Sequence, residues 1–311
     1  MNKLVTWERI CLVGHIGSMA FGLAGLLLVV PNLDFILSLS PLGQKAFELS
    51  MANGGVVYIL LGAIAVAIYA CRMLGIRSWL SFILPAIFVS LGGELLGTST
   101  GFPFGRYEYL NGLGYKIADL VPFTIPLSWF YLGFVSYTIA RAGLDAIAKP
   151  GQSLFAPIRH IGAIVLGALL LTSWDFVLDP AMSQTAIPFW HWLQPGAFFG
   201  MPYQNFAGWM ATGIIFMTIA ALLWPKEPIR LDRARLSVPL AIYISNFVFS
   251  ATMSLAAGLW IPVLLGIAVG MAPAAILWWM AVLPPNEDRL NPDSDNSPEA
   301  LTIAPVKVPA K

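Results

Sequence analysis

Glu94, Asp175 and Asp179 lie inside or at the ends of long apolar segments. An ionisable side chain in a membrane span is costly, so its presence there is by default a hypothesis about function. Glu94 sits in SLGGELLGTSTGFPFG. Gly92 and Gly93 remove side chains beside it, leaving room for a helix or a ligand to approach. Burial in an apolar site favours the protonated form of a carboxyl group. Glu94 is therefore either a proton-transfer group or a structural carboxylate, paired with Arg106 or hydrogen-bonded to a neighbouring helix. Asp175 and Asp179 occur in TSWDFVLDP. Their spacing of four puts both on one helix face, and Pro180 predicts that the helix ends there. Asp179 then has a helix-terminating alternative, which the deeper Asp175 lacks.

Two acids on one face can share a proton or bind a divalent cation. Metal sites recruit more acids or histidines at suitable spacing. His15, His160 and His191 are far apart, so no metal is expected. No nucleophile elbow, phosphate loop or dinucleotide fingerprint occurs in a fitting context.

Beside the acids stand two loops crowded with Gly, Pro and aromatics, GFPFGRYEY (101–109) and PGAFFGMPYQNFAGW (195–209). With the nearby spans they bring together Tyr107, Tyr109, Trp129, Tyr131, Trp174, Trp190, Trp192, Tyr203 and Trp209. Trp and Tyr form interfacial belts in any membrane protein, which accounts for such clustering without a site. The sharper reading is a pocket, with Phe104, for a long apolar substrate. Aromatic faces there could stabilise a carbocation by about 2 kcal/mol when desolvated.

The elements that must position these residues follow from composition. Hydrophobic residues make up 58% and charged residues 11%, against roughly 25% charged in a soluble domain. The excess comes as runs long enough to cross a bilayer. The expected fold is all-α, a polytopic membrane bundle of about eight transmembrane helices. They fall near 10–30, 54–71, 79–97, 121–140, 159–178, 206–224, 237–255 and 259–283. The first run is too long for a signal h-region and lacks a clear cleavage site. Fourteen of the 17 Lys and Arg residues fall at the termini and in alternate connections. The positive-inside rule then puts both termini in the cytoplasm and both aromatic loops on the opposite face. Residues 1–283 form the membrane domain. Residues 284–311, rich in Pro, Asp and Asn, read as a disordered cytoplasmic tail. Cys11 and Cys71 read as packed apolar residues, too few for a disulfide framework. A net charge of +1 without a basic tract argues against nucleic acid as a partner.

The blocks GGELLGTSTGFPFGRYEY and PLSWF, then SWDFVLDPAM, WHW and GAFFGMPYQNFAGW, resemble the integral-membrane carotenoid 1',2'-hydratases of the CruF type. That family includes γ-carotene or lycopene hydratases and bisanhydrobacterioruberin hydratase. The resemblance covers about residues 50–225. It implies water addition to the terminal double bond of a ψ-end carotenoid, giving a tertiary 1'-hydroxyl on the way to myxol-type xanthophylls. The implied partners are a membrane-dissolved carotenoid and water, with a carotenoid glycosyltransferase as a further candidate. The implied location is a bacterial plasma membrane or a cyanobacterial membrane system.

The residues suit that chemistry. Hydrating a trisubstituted alkene needs an acid at the less substituted carbon, shelter for a tertiary cation, and a base to orient water. No cofactor is called for. The assignment is Asp175 as donor and Glu94 as base, with Asp179, Arg106 and Asn205 around them. The two principal roles are interchangeable at this stage. Competing readings are a transporter or lipid-binding protein, another isoprenoid enzyme such as a cyclase, and a structural membrane subunit. A transporter commonly carries inverted repeats with paired broken helices, which are not evident. A prenyltransferase would need denser Asp motifs than WDFVLD.

Overall fold

The computed structural model describes residues 3–147, 156–185, 187–194, 196–225, 229 and 231–281. The expected C-terminal tail lies outside the described residues. In chain order the helices begin with α1 (Lys3–Ala24), which continues into a π-helical turn over Gly25–Val29, a short α2 (Leu33–Ser38) and α3 (Pro41–Thr100). Three short strands follow, β1 (Tyr107–Tyr109), β2 (Lys116–Ile117) and β3 (Val121–Pro122), of which β2 and β3 pair with each other. Then come α4 (Thr124–Ala146), α5 (Ala156–Ser183), β4 (Trp190–Trp192), α6 (Tyr203–Leu223) and α7 (Ser237–Ala256). The last apolar run is α8 (Trp260–Gly266), a π-helical turn over Ile267–Met271, and α9 (Ala272–Met280). Six helices among the described residues are long and apolar enough to cross a membrane. The protein is an all-α integral membrane bundle.

Two departures from the expected spans have clear causes. The second and third expected spans are joined in α3, whose 60 residues would be about 90 Å long as one rod. The chain leaves helical geometry at Gly75, where φ is 81°, a conformation that glycine adopts without a Cβ clash. The two arms return to the same loop: Gly55 lies against Gly112, and Gly97 against Tyr107. The first arm also starts at Pro41, well before residue 54, with Ser40 capping it through Gly43 N–H at 3.2 Å. The second departure is α4, which is not among the six. It packs between α3, α5, α7 and α9, so nearly all its residues are buried, and a helix shielded from lipid can carry polar side chains. Its Arg141 is fully buried, with Nε 2.7 Å from Asp145 Oδ2. Asp145 also accepts from Ile229 N–H at 2.8 Å and faces Arg159 at 3.5 Å.

The helix bearing the two aspartates does not end at Pro180. α5 passes through it to Ser183, because backbone groups disturbed by a proline can find partners on neighbouring helices. Three residues before the proline, the Val177 carbonyl accepts from Ser254 of α7 at 3.0 Å. Asp179 therefore stays helical, one turn below Asp175.

Phe104 locks the first aromatic loop onto the bundle. Its ring lies between two glycines: a Cβ on Gly97 of α3 would fall 2.8 Å from Cδ2, and one on Gly208 of α6 2.5 Å from Cδ1. Gly93 lies alongside, its Cβ position 3.6 Å from the ring, whereas Gly92 faces open space. Gly208→Ala is expected to destabilise the fold by about 1–3 kcal/mol through overpacking. It should read as a lower melting temperature of the purified protein in detergent, while Gly92→Ala leaves that temperature unchanged or raised.

Candidate active site

The site is assembled by pairing two loops that sequence reading left irregular. β1 and β4 form an antiparallel ladder with Tyr107 opposite Trp192, Glu108 opposite His191 and Tyr109 opposite Trp190. Residues directly opposite share a face, and successive residues alternate faces. Tyr107 and Tyr109 are therefore buried against the half-buried indoles of Trp192 and Trp190, at ring separations of 5.2 Å and 6.0 Å. Glu108 and His191 point outward and pair at 3.0 Å.

The inward face supplies hydrogen-bond donors to two of the three acids. Glu94 Oε2 accepts from the hydroxyls of Tyr107 and Tyr109, the latter at 2.9 Å, and Oε1 accepts from Trp129 Nε1 at 2.9 Å. Asp179 accepts from Trp190 Nε1 at 2.6 Å and Trp192 Nε1 at 3.0 Å. Asp175 has one donor, Asn205 Nδ2, at 2.7 Å to Oδ2. Its Oδ1 has no hydrogen-bond partner among the described residues. All three carboxyl groups are at most 3% exposed. They line one cavity of about 360 Å³. A tier of indoles lines the same cavity: Trp129 stacks on Trp209 at 4.2 Å, and Trp174 meets Trp209 edge-on at 6.0 Å.

Of the residues expected at the site, Glu94, Phe104, Tyr107, Tyr109, Trp129, Tyr131, Trp174, Asp175, Asp179, Trp192, Asn205 and Trp209 all line this cavity. Arg106 does not. It precedes Tyr107 in an alternating strand, so its side chain is exposed, and the donors on Glu94 are phenols and an indole. Tyr203, at the first position of α6, is 64% exposed and borders Phe198 and Phe206. Asn205 attends Asp175 and not Asp179. Trp190, which sequence reading noticed but did not place in the site, is one of the two indole donors to Asp179. Further in, Tyr131 donates to Asn246 Oδ1 at 2.9 Å. Asn246 Nδ2 is 3.0 Å from His15 Nε2, and His15 Nδ1 is 2.7 Å from the Tyr58 carbonyl. Since a carbonyl only accepts, His15 Nδ1 carries the proton and Nε2 accepts from Asn246. A histidine and an asparagine inside apolar spans were the available signal for this chain of contacts. No cluster of three His, Cys, Asp or Glu side chains among the described residues is placed to hold a metal ion.

Fold and site together define an integral-membrane helix bundle with an acid-lined internal cavity. The sequence model of the carotenoid biosynthesis protein family matches residues 54–273, and the chain belongs to that family. It is also similar to the bisanhydrobacterioruberin hydratase of Haloarcula japonica, 33% identical over 135 residues. That match covers 43% of this chain and 41% of the relative. No solved structure matches the chain.

Burial, and then the Glu94 carboxylate, hold the Tyr107 and Tyr109 phenols well above the ordinary tyrosine value of 10.0. Their folded-state pKa is raised. The stability they contribute is therefore complete below 10.0 and is lost as pH rises above it toward the folded value. The Tyr107→Phe/Tyr109→Phe protein should lose about 1–3 kcal/mol at neutral pH, because Glu94 is left short of donors. It should then lose less additional stability than the parent in strongly alkaline buffer. Thermal melts in detergent at neutral and alkaline pH check both halves.

Proposed function

We propose that this protein adds water across the terminal double bond of a linear, ψ-ended carotenoid to give a tertiary alcohol. The family supports the pathway, and the relative's name supports a hydratase. The observation that carries the reading is the unequal treatment of three buried acids around one cavity. An ionised carboxylate is acceptor-only, with about four lone-pair sites. Glu94 has three of these filled by O–H and N–H donors, and Asp179 receives two indole N–H groups. Both environments suit the charged form. Asp175 has one donor and a free oxygen on the cavity, which suits a neutral acid carrying the proton.

The reaction then follows from placement. Asp175 gives its proton to C2' of the alkene, and the π electrons form the new C–H bond. The tertiary cation left at C1' faces the Trp129–Trp209–Trp174 tier, whose ring faces stabilise positive charge. Water held at the remaining acceptor site of Glu94 supplies its oxygen to C1', and Glu94 takes the released proton. Passing that proton back to Asp175 restores the starting state, so the sum is alkene plus water giving alcohol. Asn205 orients Asp175, and Asp179 holds the β4 indoles in place.

The test is pigment analysis by liquid chromatography and mass spectrometry, in a bacterium that already makes lycopene or γ-carotene. The expected result is a more polar pigment heavier by one water. Loss of a general acid lowers rates by about 10²–10⁴-fold. Asp175→Asn should show a loss of that order, and Glu94→Gln a comparable one, with both proteins still present in the membrane. An unchanged pigment profile with both precursors sinks the hydratase reading, and full activity in both variants sinks the assignment of roles.

A further inference from the structure

The acids occupy only one end of the cavity. From them it extends as an arm between the last turns of α1 with its π-helical turn and the first turns of α3. The lining runs from Ser18 to Val29 on one side and from Ala46 to Ile59 on the other, about 16–20 Å along the helix axes. Beyond the Tyr58 hydroxyl, the arm offers little to a polar ligand. Its two serines turn back on their own helices, Ser18 to the Gly14 carbonyl at 2.7 Å and Ser50 to the Ala46 carbonyl at 2.8 Å. At its mouth Phe21 is 66% exposed, on a helix that meets lipid. Three of its glycines, Gly22, Gly25 and Gly54, have no atom within 4 Å of where a Cβ would stand. Their bareness is therefore not required for helix packing. It leaves the arm wide.

Resting on the hydratase reading for the identity of the chain, we propose that this arm is the seat of the unreacted hydrocarbon. The chain enters from the lipid between α1 and α3, with its reacting end foremost, and the rest trails out past Gly22, Gly25 and Gly54. Volume supports this occupant. About 360 Å³ is near the lower end of the usual 300–1,000 Å³ for small-molecule sites. That is room for an end group and the adjoining chain, while a long polyene must extend through an open end. The open glycines set the width of that passage and hence how thick a chain can pass. The α1 wall lies before residue 54, where the family match begins, so this part of the passage is a feature of this chain beyond the matched region.

The experiment measures two quantities for the whole protein in carotenoid-producing cells: conversion, and the pigment retained on purification in detergent. Gly54→Phe places a ring in the arm, and replacing a helical glycine does not weaken the helix. Gly17→Phe is the matched control, because Gly17 is equally open but does not line the cavity. A misfit of a methylene or so in an apolar site changes selectivity by about 10–200-fold. Gly54→Phe should therefore lower both quantities at least tenfold, Gly54→Ala much less, and Gly17→Phe not at all. Melting temperatures should be equal or higher in all three. Retention and conversion in Gly54→Phe equal to the parent would overturn the proposal, as would an equal loss in Gly17→Phe. If the parent converts no carotenoid yet its retained pigment still depends on Gly54, the hydratase reading fails and the passage stands. If the parent neither converts nor retains pigment, both fail.

Discussion

The register of one short ladder governs the rest of the site. Pairing Tyr107 with Trp192 and Tyr109 with Trp190 puts four ring-borne O–H and N–H donors on one inward face. The two phenols reach Glu94 and the two indoles reach Asp179. A slip of one residue would turn the donors of one strand outward and bring Glu108 or His191 inward, since side chains alternate with a period of two. One buried acid would then lose two donors, which is costlier than losing an ordinary hydrogen bond. Register, burial of the acids and integrity of the cavity are thus a single condition. Phe104, held between Gly97 and Gly208, anchors the loop that delivers β1.

The same bookkeeping explains why the three carboxyl groups are not equivalent. Glu94 and Asp179 are surrounded by donors that suit a negative charge, whereas Asp175 keeps an oxygen toward the cavity. Trp129, Trp209 and Trp174 pack ring against ring along the cavity. Trp129 also donates its N–H to Glu94, as Trp190 and Trp192 donate theirs to Asp179. One residue type thus serves the anions by its N–H edge while its rings line the cavity. The chain from Tyr131 through Asn246 and His15 to the Tyr58 carbonyl ties α4, α7, α1 and α3 together beside this arrangement. A close approach at Gly62, where a Cβ would stand 2.8 Å from the imidazole, lets His15 reach it.

How far the site was legible varies residue by residue. Acids in apolar runs and aromatics crowding two loops are local facts, and they led to the acids of the cavity and the aromatics around them, while the lining from α1 and the start of α3 carried no such mark. Arg106 was drawn in by proximity in sequence to Tyr107, and alternation in β1 then turned it outward. Tyr203 was drawn in as part of an aromatic-rich loop, and its place at the start of α6 left it exposed. Trp190 stood among the noticed aromatics, but nothing local marked it as the partner of Asp179. Pro180 carries a real helix-ending tendency, and packing against α7 overrides it.

The sequence by itself determined the membrane bundle, the set of buried acids, and the aromatic loops beside them. Hydropathy and side-chain chemistry belong to each residue or its near neighbours, so a linear reading can recover them. The tertiary structure alone decided which donor meets which acid, that Asp175 keeps an oxygen with no hydrogen-bond partner among the described residues, and that the cavity holding the acids is also lined by α1 and the start of α3. Each of these depends on contacts between segments distant in the chain. A hydrogen bond or an open gap is set by the relative placement of two backbones, and composition carries no record of that.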